Sequence, residues 1–454
     1  MTKANSRELD MTNGSLFKNI VIFGLPLIAT NMLQALFTLV DAAVVGRYSG
    51  AFALGAVGSA SQLIFFFVGF IVGVASAVNV IVAYYIGAKN KKETEDILFT
   101  AFIVCLGCGI VLMLIAIGFA KQILVLLHTK NELIFGCEMY FKIYMLGLPA
   151  TAIYNFGNAV LRSVGDTRRP FWYLAIAGIV NVILDLVFVM YFELSVAGVA
   201  IASTISQFVS AFLILRTVRK GIGIVKLRFK GQTFNIHKAG KLLKIGLPTG
   251  FQSSFFAFAN MFIQMGVNSF DAVTVSGIAA AEKTDAVVYN VLDGFYSACA
   301  CFIGQNYGAG KKDRILKTYF ISLAYSFGTA VVLGLLFFGF GRNVISIFTS
   351  NEEAISFGLQ RLHIMTLSYC ISPFMDCTIA ASRGLGKTSI PTIVVILGSC
   401  VFRIVWIFTI FAMFKTIKSL FLLYSVSWAI TAFAEIIYFV YIFRRIEVKN
   451  VQSA

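Results

Sequence analysis

Runs of about 20 apolar residues recur along nearly the whole chain, and a helix of that length crosses the hydrocarbon layer of a membrane. Of the 454 residues, 59% are hydrophobic and only 13% are charged, a balance that excludes a water-soluble globular domain. The pattern predicts an all-α membrane protein with twelve transmembrane helices. They are expected at residues 17–46, 55–84, 97–119, 132–158, 171–192, 198–216, 243–268, 274–304, 315–341, 353–380, 390–413 and 418–443.

Basic residues are concentrated in alternate loops. The chain carries 37 Lys and Arg against 21 Asp and Glu, a net charge of +16. The segment from residue 216 to 244 contains nine of them, whereas the loops on the opposite side contain few. This asymmetry follows the positive-inside rule and predicts a multi-pass protein of the plasma (inner) membrane with both termini in the cytoplasm. The charge is then explained by topology and by attraction to membrane lipids, and no nucleic-acid partner is expected.

The chain contains an internal repeat with an offset of about 221 residues. "GLPLIATNM" (24–32) aligns with "GLPTGFQSS" (246–254), and "LRSVGDTRRP" (161–170) aligns with "SRGLGKTSIP" (382–391). Each copy holds six predicted spans, an even number, so both copies begin on the same side of the membrane as a parallel repeat. We expect an amino-terminal six-helix lobe over 1–216, a cytoplasmic basic linker over 217–243 and a carboxyl-terminal six-helix lobe over 244–454.

The second copy of the repeated loop is similar to the end of a phosphate-binding loop, GxxxxGK[ST]. Gly386, Lys387 and Thr388 match that motif, but Ala381 occupies the position of its first glycine. The first copy has Asp166 where the second has Lys387, and an apolar helix rather than a strand precedes the loop. The sequence therefore predicts a turn between two helices and no nucleotide site.

Motifs of catalysis and of metal binding are missing from the sequence. The eight cysteines are scattered through apolar spans and there are only three histidines, so neither disulfides nor a metal centre is expected. No GxSxG motif occurs. We predict that the protein is not an enzyme and needs no cofactor.

The first half has two conspicuous carboxylates inside predicted spans, where a charge costs about 2.5–3.5 kcal/mol at the bilayer centre. Asp41 lies in "LVDAAVVG" and Asp185 in "NVILDLVF", with Asn181 one turn earlier on the same helix face. Their repeat counterparts are about Ile263 and Trp406, so the fold does not require a carboxylate at either position. These oxygens could bind Na⁺, or take up a proton because burial disfavours the charged carboxylate. The alternative is that they only bond helix to helix.

Acidic and basic residues are mixed in the spans of the second half, which favours mutual pairing. They include Glu282, Lys283, Asp285, Asp293, Asp376, Arg403 and Glu435. We expect Glu282 and Asp376 to be exceptions that face a substrate cavity and hold a cationic substrate. Gln34, Gln252 and Asn260 complete the predicted cavity. Nearby Phe and Met side chains suit flat apolar cations through soft packing and cation–π attraction.

Together these features resemble the MATE (multidrug and toxic compound extrusion) family over about residues 15–445. The resemblance rests on the paired GLP-bearing helices, "LVDAAVVGRYSG", "LRSVGDTRRP", "NVILDLVF" and "GQNYGAGKKDR" (304–314). It implies a V-shaped transporter whose two lobes give alternating access to a central cavity. It also implies export of organic cations or amphiphilic drugs in exchange for H⁺ or Na⁺. We expect a monomer with small-molecule substrates.

The resemblance to the family extends to individual residues of the predicted site. Those that match the amino-terminal-lobe cation site of prokaryotic members are Asp41, Asn181 and Asp185. "GVAIASTIS" (198–206) is similar to the stretch that adds a hydroxyl to that site, which would be Ser203 or Thr204. Pro26 is the expected hinge of the first helix.

One departure separates the chain from the NorM-like branch. "FMD" (374–376) is similar to the tenth-helix Asp of that branch, but Phe256 occupies the position of its seventh-helix Glu. This favours coupling through the amino-terminal lobe, as in the DinF-like branch.

A second function remains open within the same superfamily. Flippases for lipid-linked saccharides are similar in their lobes and have a more cationic cavity, and Arg361 and Arg403 favour that alternative. The acidic amino-terminal lobe favours a cationic cargo instead. The sequence does not distinguish H⁺ from Na⁺ as the coupling ion.

Overall fold

A computed structural model describes residues 9–126, 129 and 131–446, with only the backbone at 51 and 131. The predicted cytoplasmic termini at 1–8 and 447–454 lie outside these residues. The helices of the first half are α1 (Leu16–Tyr48), α2 (Gly50–Gly87), α3 (Lys91–Gly118), α4 (Ala120–Leu126), α5 (Asn131–Met145), α6 (Leu148–Ser163), α7 (Arg168–Leu186) and α8 (Ser195–Lys220). Those of the second half are α9 (Ile236–Asn268), α10 (Ala272–Gly308), α11 (Lys312–Ser346), α12 (Glu352–Tyr369), α13 (Ser372–Gly384), α14 (Ser389–Val395), α15 (Phe402–Trp406), α16 (Ala412–Phe414) and α17 (Ile417–Arg445).

Three π-helical segments occur in the described chain, one in the first half and two in the second. Val187–Tyr191 continues α7, while Ile396–Val401 and Ile407–Phe411 flank α15. No strand forms in the described chain, where an isolated antiparallel bridge joins Ile222 and Val225 in the loop between α8 and α9. The fold is all-α, as the sequence predicts.

Helices cover all twelve predicted spans. Within the described ranges, nine helices are long and apolar enough to cross a membrane, and up to eleven spans result if each of two bent pairs counts as one. The bent pairs are α5 with α6, at 47°, and α12 with α13, at 44°. The helix over the predicted seventh span, α9, is not among the eleven; polar residues such as Thr249, Gln252 and Asn260 interrupt its apolar sequence.

The second half repeats the helix order of the first. For example, α3 begins at Lys91 and α11 at Lys312, and each bent pair resumes with a proline in its first turn, Pro149 in α6 and Pro373 in α13. Proline suits that position because its missing N–H has no partner in the first turn of a helix.

The loop that is similar to a phosphate-binding motif is a tight turn in both copies. Gly165 and Gly386 occupy equivalent places with φ of 87° and 74°, a left-handed conformation that glycine adopts without steric cost. In the first copy, the Asp166 carboxylate accepts a hydrogen bond from the Arg169 backbone at 3.1 Å and pairs with its side chain at 3.2 Å. The predicted helix–turn–helix connection is confirmed.

Two compact units can be distinguished. The first contains Ala29–Phe251, and the second contains Met11–Ile28 together with the described residues from Gln252 onward. Both boundaries fall inside helices, α1 and α9, shortly after Pro26 and Pro248. The two units differ from the predicted lobes, 1–216 and 244–454, because the first turns of α1 belong to the second unit. The predicted lobes describe the sequence repeat and stay a prediction.

Close helix packing in the first unit depends on glycine. Gly73 of α2 lies against the backbone of Gly250 in α9, and a Cβ at Gly73 would overlap that backbone. Small residues of this kind let helices approach in lipid, where apolar burial does not itself drive helix association.

Candidate functional site

The carboxyl groups of Asp41 on α1 and Asp185 on α7 lie within hydrogen-bonding reach of each other in the first unit. Asp185 is fully buried and Asp41 is half-buried. Asp41 Oδ1 and Asp185 Oδ2 are buried without a hydrogen-bond partner among the described residues. Within the same part of the chain, neither carboxyl forms an ion pair with a lysine or arginine. Two such carboxylates repel unless a proton or a cation neutralises one of them.

Asn181 lies one turn before Asp185 on the same buried face of α7. Its Nδ2 donates to Asp185 Oδ1 at 3.5 Å, the long limit of a hydrogen bond. The amide therefore orients the carboxyl more than it neutralises it. The predicted grouping of Asp41, Asn181 and Asp185 is present in the structure.

A glycine brings the two carboxylate-bearing helices together. Gly178 of α7 faces the Phe37 ring of α1, and a Cβ at Gly178 would overlap that ring. Phe37 precedes Asp41 by one turn and Gly178 precedes Asp185 by about two turns, so this contact lies close to the carboxyl pair. Neither residue was predicted to matter here, because glycine and phenylalanine are common in apolar helices.

Two tyrosines of α5 complete the surroundings of the pair and were not predicted. Tyr140 is buried within electrostatic reach of Asp41 and Asp185, and Tyr144 is within reach of Asp41. Their ring centroids are 6.1 Å apart. Their one-turn spacing in "EMYFKIYM" was the available signal, but the same spacing is typical of ordinary helix packing.

The predicted hydroxyl residues lie on α8. Ser203 is buried, and the Thr204 hydroxyl donates to the Ile143 carbonyl of α5 at 2.8 Å. In the described chain, neither hydroxyl bonds to Asp41, Asn181 or Asp185. Their role in a cation site stays a prediction.

The acidic cluster of the second unit is paired instead. Arg361, only 1% exposed, holds Asp285 with both terminal nitrogens, at 2.5 and 3.3 Å. The Tyr369 hydroxyl also donates to Asp285. Glu282 Oε1 is 3.9 Å from Arg361, and its side chain is 41% exposed. Mutual pairing is therefore confirmed for Asp285, while Glu282 has a looser contact.

Arg383 links two of the predicted cavity residues. Its Nη2 donates to Gln252 Oε1 at 2.8 Å, and its charge lies within electrostatic reach of Asp376. Asp376 accepts a hydrogen bond from the Ser372 hydroxyl at 2.7 Å. Gln252 and Asp376 are thus brought to one place, on α9 and α13.

The other predicted cavity residues lie elsewhere. Glu282 is with Arg361, and Asn260 is exposed on α9, both in the second unit. Gln34 is exposed on α1 in the first unit. The predicted cavity as a set stays a prediction.

Arg403 is a buried cation held by aromatic rings. Its guanidinium lies 4.5 Å from the ring centroid of Tyr424, 5.5 Å from that of Phe256 and 5.9 Å from that of Trp428. Nε donates to the Ser427 hydroxyl at 3.4 Å, and no described carboxylate forms an ion pair with it. Phe256, the position at which the family resemblance would imply a Glu, supplies one of these rings.

Pro26 lies within a continuous α1, the expected hinge helix. Proline removes a backbone hydrogen bond from the helix interior and favours bending there. The boundary between the compact units crosses α1 directly after Ile28. A hinge at Pro26 stays a prediction.

A family model described as MatE matches residues 26–187 and again 248–409. The chain belongs to the MatE family. The two matches, one in each half, confirm the internal repeat. A relative of this MatE chain, "Probable multidrug resistance protein YpnP" of Bacillus subtilis, is 29% identical and covers 80% of this chain and 81% of its own length. "Probable multidrug resistance protein NorM" of Thermotoga maritima is 24% identical over 83% and 82% of the two chains.

Solved structures share the MatE fold. One, described as "Outward-facing conformation of a multidrug resistance MATE family transporter of the MOP superfamily", superposes with a TM-score of 0.90 at 18% identity, covering 98% of this chain and 99% of that one. Another, a MOP superfamily transporter from Pyrococcus furiosus, has a TM-score of 0.90 at 19% identity and covers 97% and 99%. At these identities the likeness shows the fold.

Proposed function

We propose that this MatE protein is a secondary active efflux transporter that exports organic cations or amphiphilic drugs in antiport with H⁺ or Na⁺ by alternating access. The multidrug-resistance names of its relatives support the substrate class. The observation that carries the proposal is the Asp41–Asp185 pair, two adjacent carboxyls with no described basic partner. Such a pair must exchange a small cation or a proton to change its charge.

The charge of the Asp41–Asp185 pair links the binding of the substrate to the binding of the ion. Two like charges 4 Å apart repel by about 4 kcal/mol at an effective dielectric constant of about 20. Without a bound ion, the acidic pair favours a cationic substrate in its neighbourhood. A proton or Na⁺ arriving from outside removes that charge, weakens substrate binding and lets α1 rearrange near Pro26. Substrate and ion thus exclude each other, as antiport requires.

The choice between H⁺ and Na⁺ depends on oxygen ligands. Na⁺ would take oxygens from Asp41, Asp185 and the Asn181 side chain, whereas a proton needs only the shared carboxyls. Proteoliposomes loaded with a cationic dye and driven in turn by a pH gradient and a Na⁺ gradient separate the two ions.

The test of the function uses Asp41→Asn and Asp185→Asn variants in those proteoliposomes. We expect ion-driven dye transport to fall at least about tenfold in each variant, within the range of coupling free energies of 1–3 kcal/mol. Glu352→Gln, which neutralises an exposed carboxylate paired with Arg342, is the matched control and should transport normally. Full-rate transport in both site variants would falsify the proposal.

A flippase for a lipid-linked saccharide is the second candidate, and Arg403 favours it as a buried cation without a described carboxylate partner. Arg361 does not favour it, because Asp285 balances its charge. Titration with a fluorescent organic cation, with and without a lipid-linked oligosaccharide as competitor, distinguishes the two functions.

The proposed setting is the plasma (inner) membrane, with cytoplasmic termini and a monomeric transporter. The concentration of basic residues in alternate loops supports this topology. Labelling of cysteines introduced into the loop at residues 221–235, in intact and permeabilised cells, checks it. Labelling in intact cells by a reagent that cannot cross membranes would contradict it.

A further inference from the structure

Glu435 is a fully buried carboxyl on α17 that the proposed exchange at Asp41 and Asp185 does not use. It is 0% exposed, and neither carboxyl oxygen has a hydrogen-bond partner in the described chain. Thr431 and Phe439, one turn before and one turn after, are buried on the same face. Phe439 belongs to an apolar cluster with residues of α13, so this face packs against that helix. An isolated carboxylate in such a place is strongly disfavoured.

Arg383 on α13 is a basic residue close enough to attract Glu435, yet the two side chains form no ion pair. The two groups lie within electrostatic reach of each other but form no ion pair. The Arg383 Nη2 bonds to Gln252 instead, and its Nε is buried without an acceptor. An ionised Glu435 would attract this guanidinium strongly in a low-dielectric interior. The observed arrangement therefore fits a neutral, protonated Glu435.

The other charged groups around this position cannot all be balanced by one arginine. Asp376 on α13 and Asp293 on α10 both lie within electrostatic reach of Arg383, and Tyr438 lies within reach of Glu435 on its own helix. Arg403 on α15 lies within reach of Asp376 but is held by aromatic rings. Three carboxyls thus lie within electrostatic reach of one arginine, so a change of its partner alters the electrostatic balance of all three.

We propose that Glu435 is a proton-binding site of the second unit, and that proton release moves the Arg383 guanidinium from Gln252 to the Glu435 carboxylate. The proton leaves the carboxyl for water, and the guanidinium keeps its own protons throughout. The neutral carboxyl and the Arg383–Gln252 bond are one state of the site. A Glu435–Arg383 ion pair with a released Gln252 is the other.

Gln252 gives this exchange a structural consequence. It is the residue at which α9 enters the second compact unit, four residues after Pro248. Loss of the Arg383 bond releases α9 at that point. Proton occupancy of Glu435 is therefore linked to the mobility of α9. The proton site itself does not depend on the proposed antiport, whereas its use in transport does.

The first experiment counts protons on the purified full chain. We expect Glu435→Gln to bind one proton fewer per molecule in a titration kept above the pH range in which exposed carboxyls titrate, and to lose a protonated-carboxyl band in difference infrared spectra. Glu435→Asp should retain both signals, and the exposed-site control Glu352→Gln should keep that band. An unchanged proton count and an unchanged band in Glu435→Gln would overturn the proposal.

The second experiment follows the link to α9 by hydrogen exchange. Intrinsic amide exchange becomes faster as pH rises. In the wild type, exchange in the helix around Gln252 should increase at alkaline pH by a larger factor than this intrinsic increase. Glu435→Gln, which mimics the neutral state, should remove this additional acceleration, while Glu352→Gln should preserve it. Exchange around Gln252 that responds to pH equally in wild type and Glu435→Gln would contradict the Arg383 exchange.

The failure of this site and of the proposed function can be told apart. Loss of ion-driven transport in Asp41→Asn together with an unchanged proton count in Glu435→Gln overturns the Glu435 site and leaves the antiporter intact. A lost proton in Glu435→Gln together with no ion-driven dye transport in the wild type supports the site and overturns the antiporter.

Discussion

The two halves of this MatE chain have the same helix order but treat charge in opposite ways. In the first half, Asp41 and Asp185 face each other with no described basic partner. In the second, Asp285 is held by Arg361, and Asp376 and Glu435 lie around Arg383. The repeated fold therefore requires neither arrangement. The proposed function accordingly rests on these local sites and not on the repeated fold.

The π-helical segments show the same divergence. Val187–Tyr191 follows Asp185 in the first half, and Ile407–Phe411 occupies the equivalent place in the second. In the described chain, Ile396–Val401 adds a segment directly before Arg403 that has no counterpart in the first half. A π-helix inserts a residue into a turn and so redirects the side chains that follow.

Breaking the buried ion pair should give the largest effect on stability. Asp285→Ala leaves the Arg361 guanidinium, at 1% exposure, with only the looser Glu282 contact at 3.9 Å, which should lower the free energy of unfolding by about 3–5 kcal/mol. Thermal unfolding in detergent measures the change. The double variant Asp285→Leu with Arg361→Met should recover most of it, since an apolar pair of similar volume needs no charge balance. A single variant as stable as the wild type would show that the second unit does not depend on this pair.

Separating α1 from α7 should give an intermediate effect confined to the first unit. Gly178→Ala places a methyl group against the Phe37 ring, and overpacking of this kind costs about 1–3 kcal/mol. We expect ion-driven dye transport to fall because the Asp41 and Asp185 carboxyls move apart. Adding Phe37→Leu should restore both stability and transport. Recovery of stability without recovery of transport would contradict a positioning role for Gly178.

The smallest effect should come from a helix cap that the two halves do not share. Asp271 caps α10, accepting hydrogen bonds from the Val273 and Thr274 amides at 3.0 Å, whereas Ser49 makes no side-chain cap before α2. The Thr274 hydroxyl and amide hold the pKa of Asp271 below its usual value. The stabilisation is therefore complete above the usual carboxyl pKa and is lost as pH falls through the lowered one.

Asp271→Ala should accordingly lower the unfolding midpoint slightly at neutral pH and leave it unchanged in strong acid. Ser49→Ala should change it at neither pH. Unfolding midpoints at both pH values check this, and an Asp271→Ala effect that persists in acid would show that the carboxylate charge is not its cause.

Most of the fold could be predicted from the sequence, because membrane helices are defined by local length and hydropathy. The twelve predicted spans, the internal repeat and the glycine turns at Gly165 and Gly386 follow from patterns within short segments. The grouping of Asp41 with Asn181 and Asp185 was expected from their apolar surroundings and from the family resemblance. The division into compact units could not be predicted, since it depends on which helices the leading turns of α1 and α9 pack against.

The sequence alone determined that this chain is a duplicated bundle of membrane helices with isolated acids in its first half, because apolar runs and helical spacing are properties of neighbouring residues. Only the tertiary structure decided which charges are balanced. Asp285 is paired with Arg361, 76 residues away, while Arg383 bonds to Gln252 and leaves Glu435 unpaired. Such partners are set by the faces that distant helices present to each other, and no local pattern encodes them.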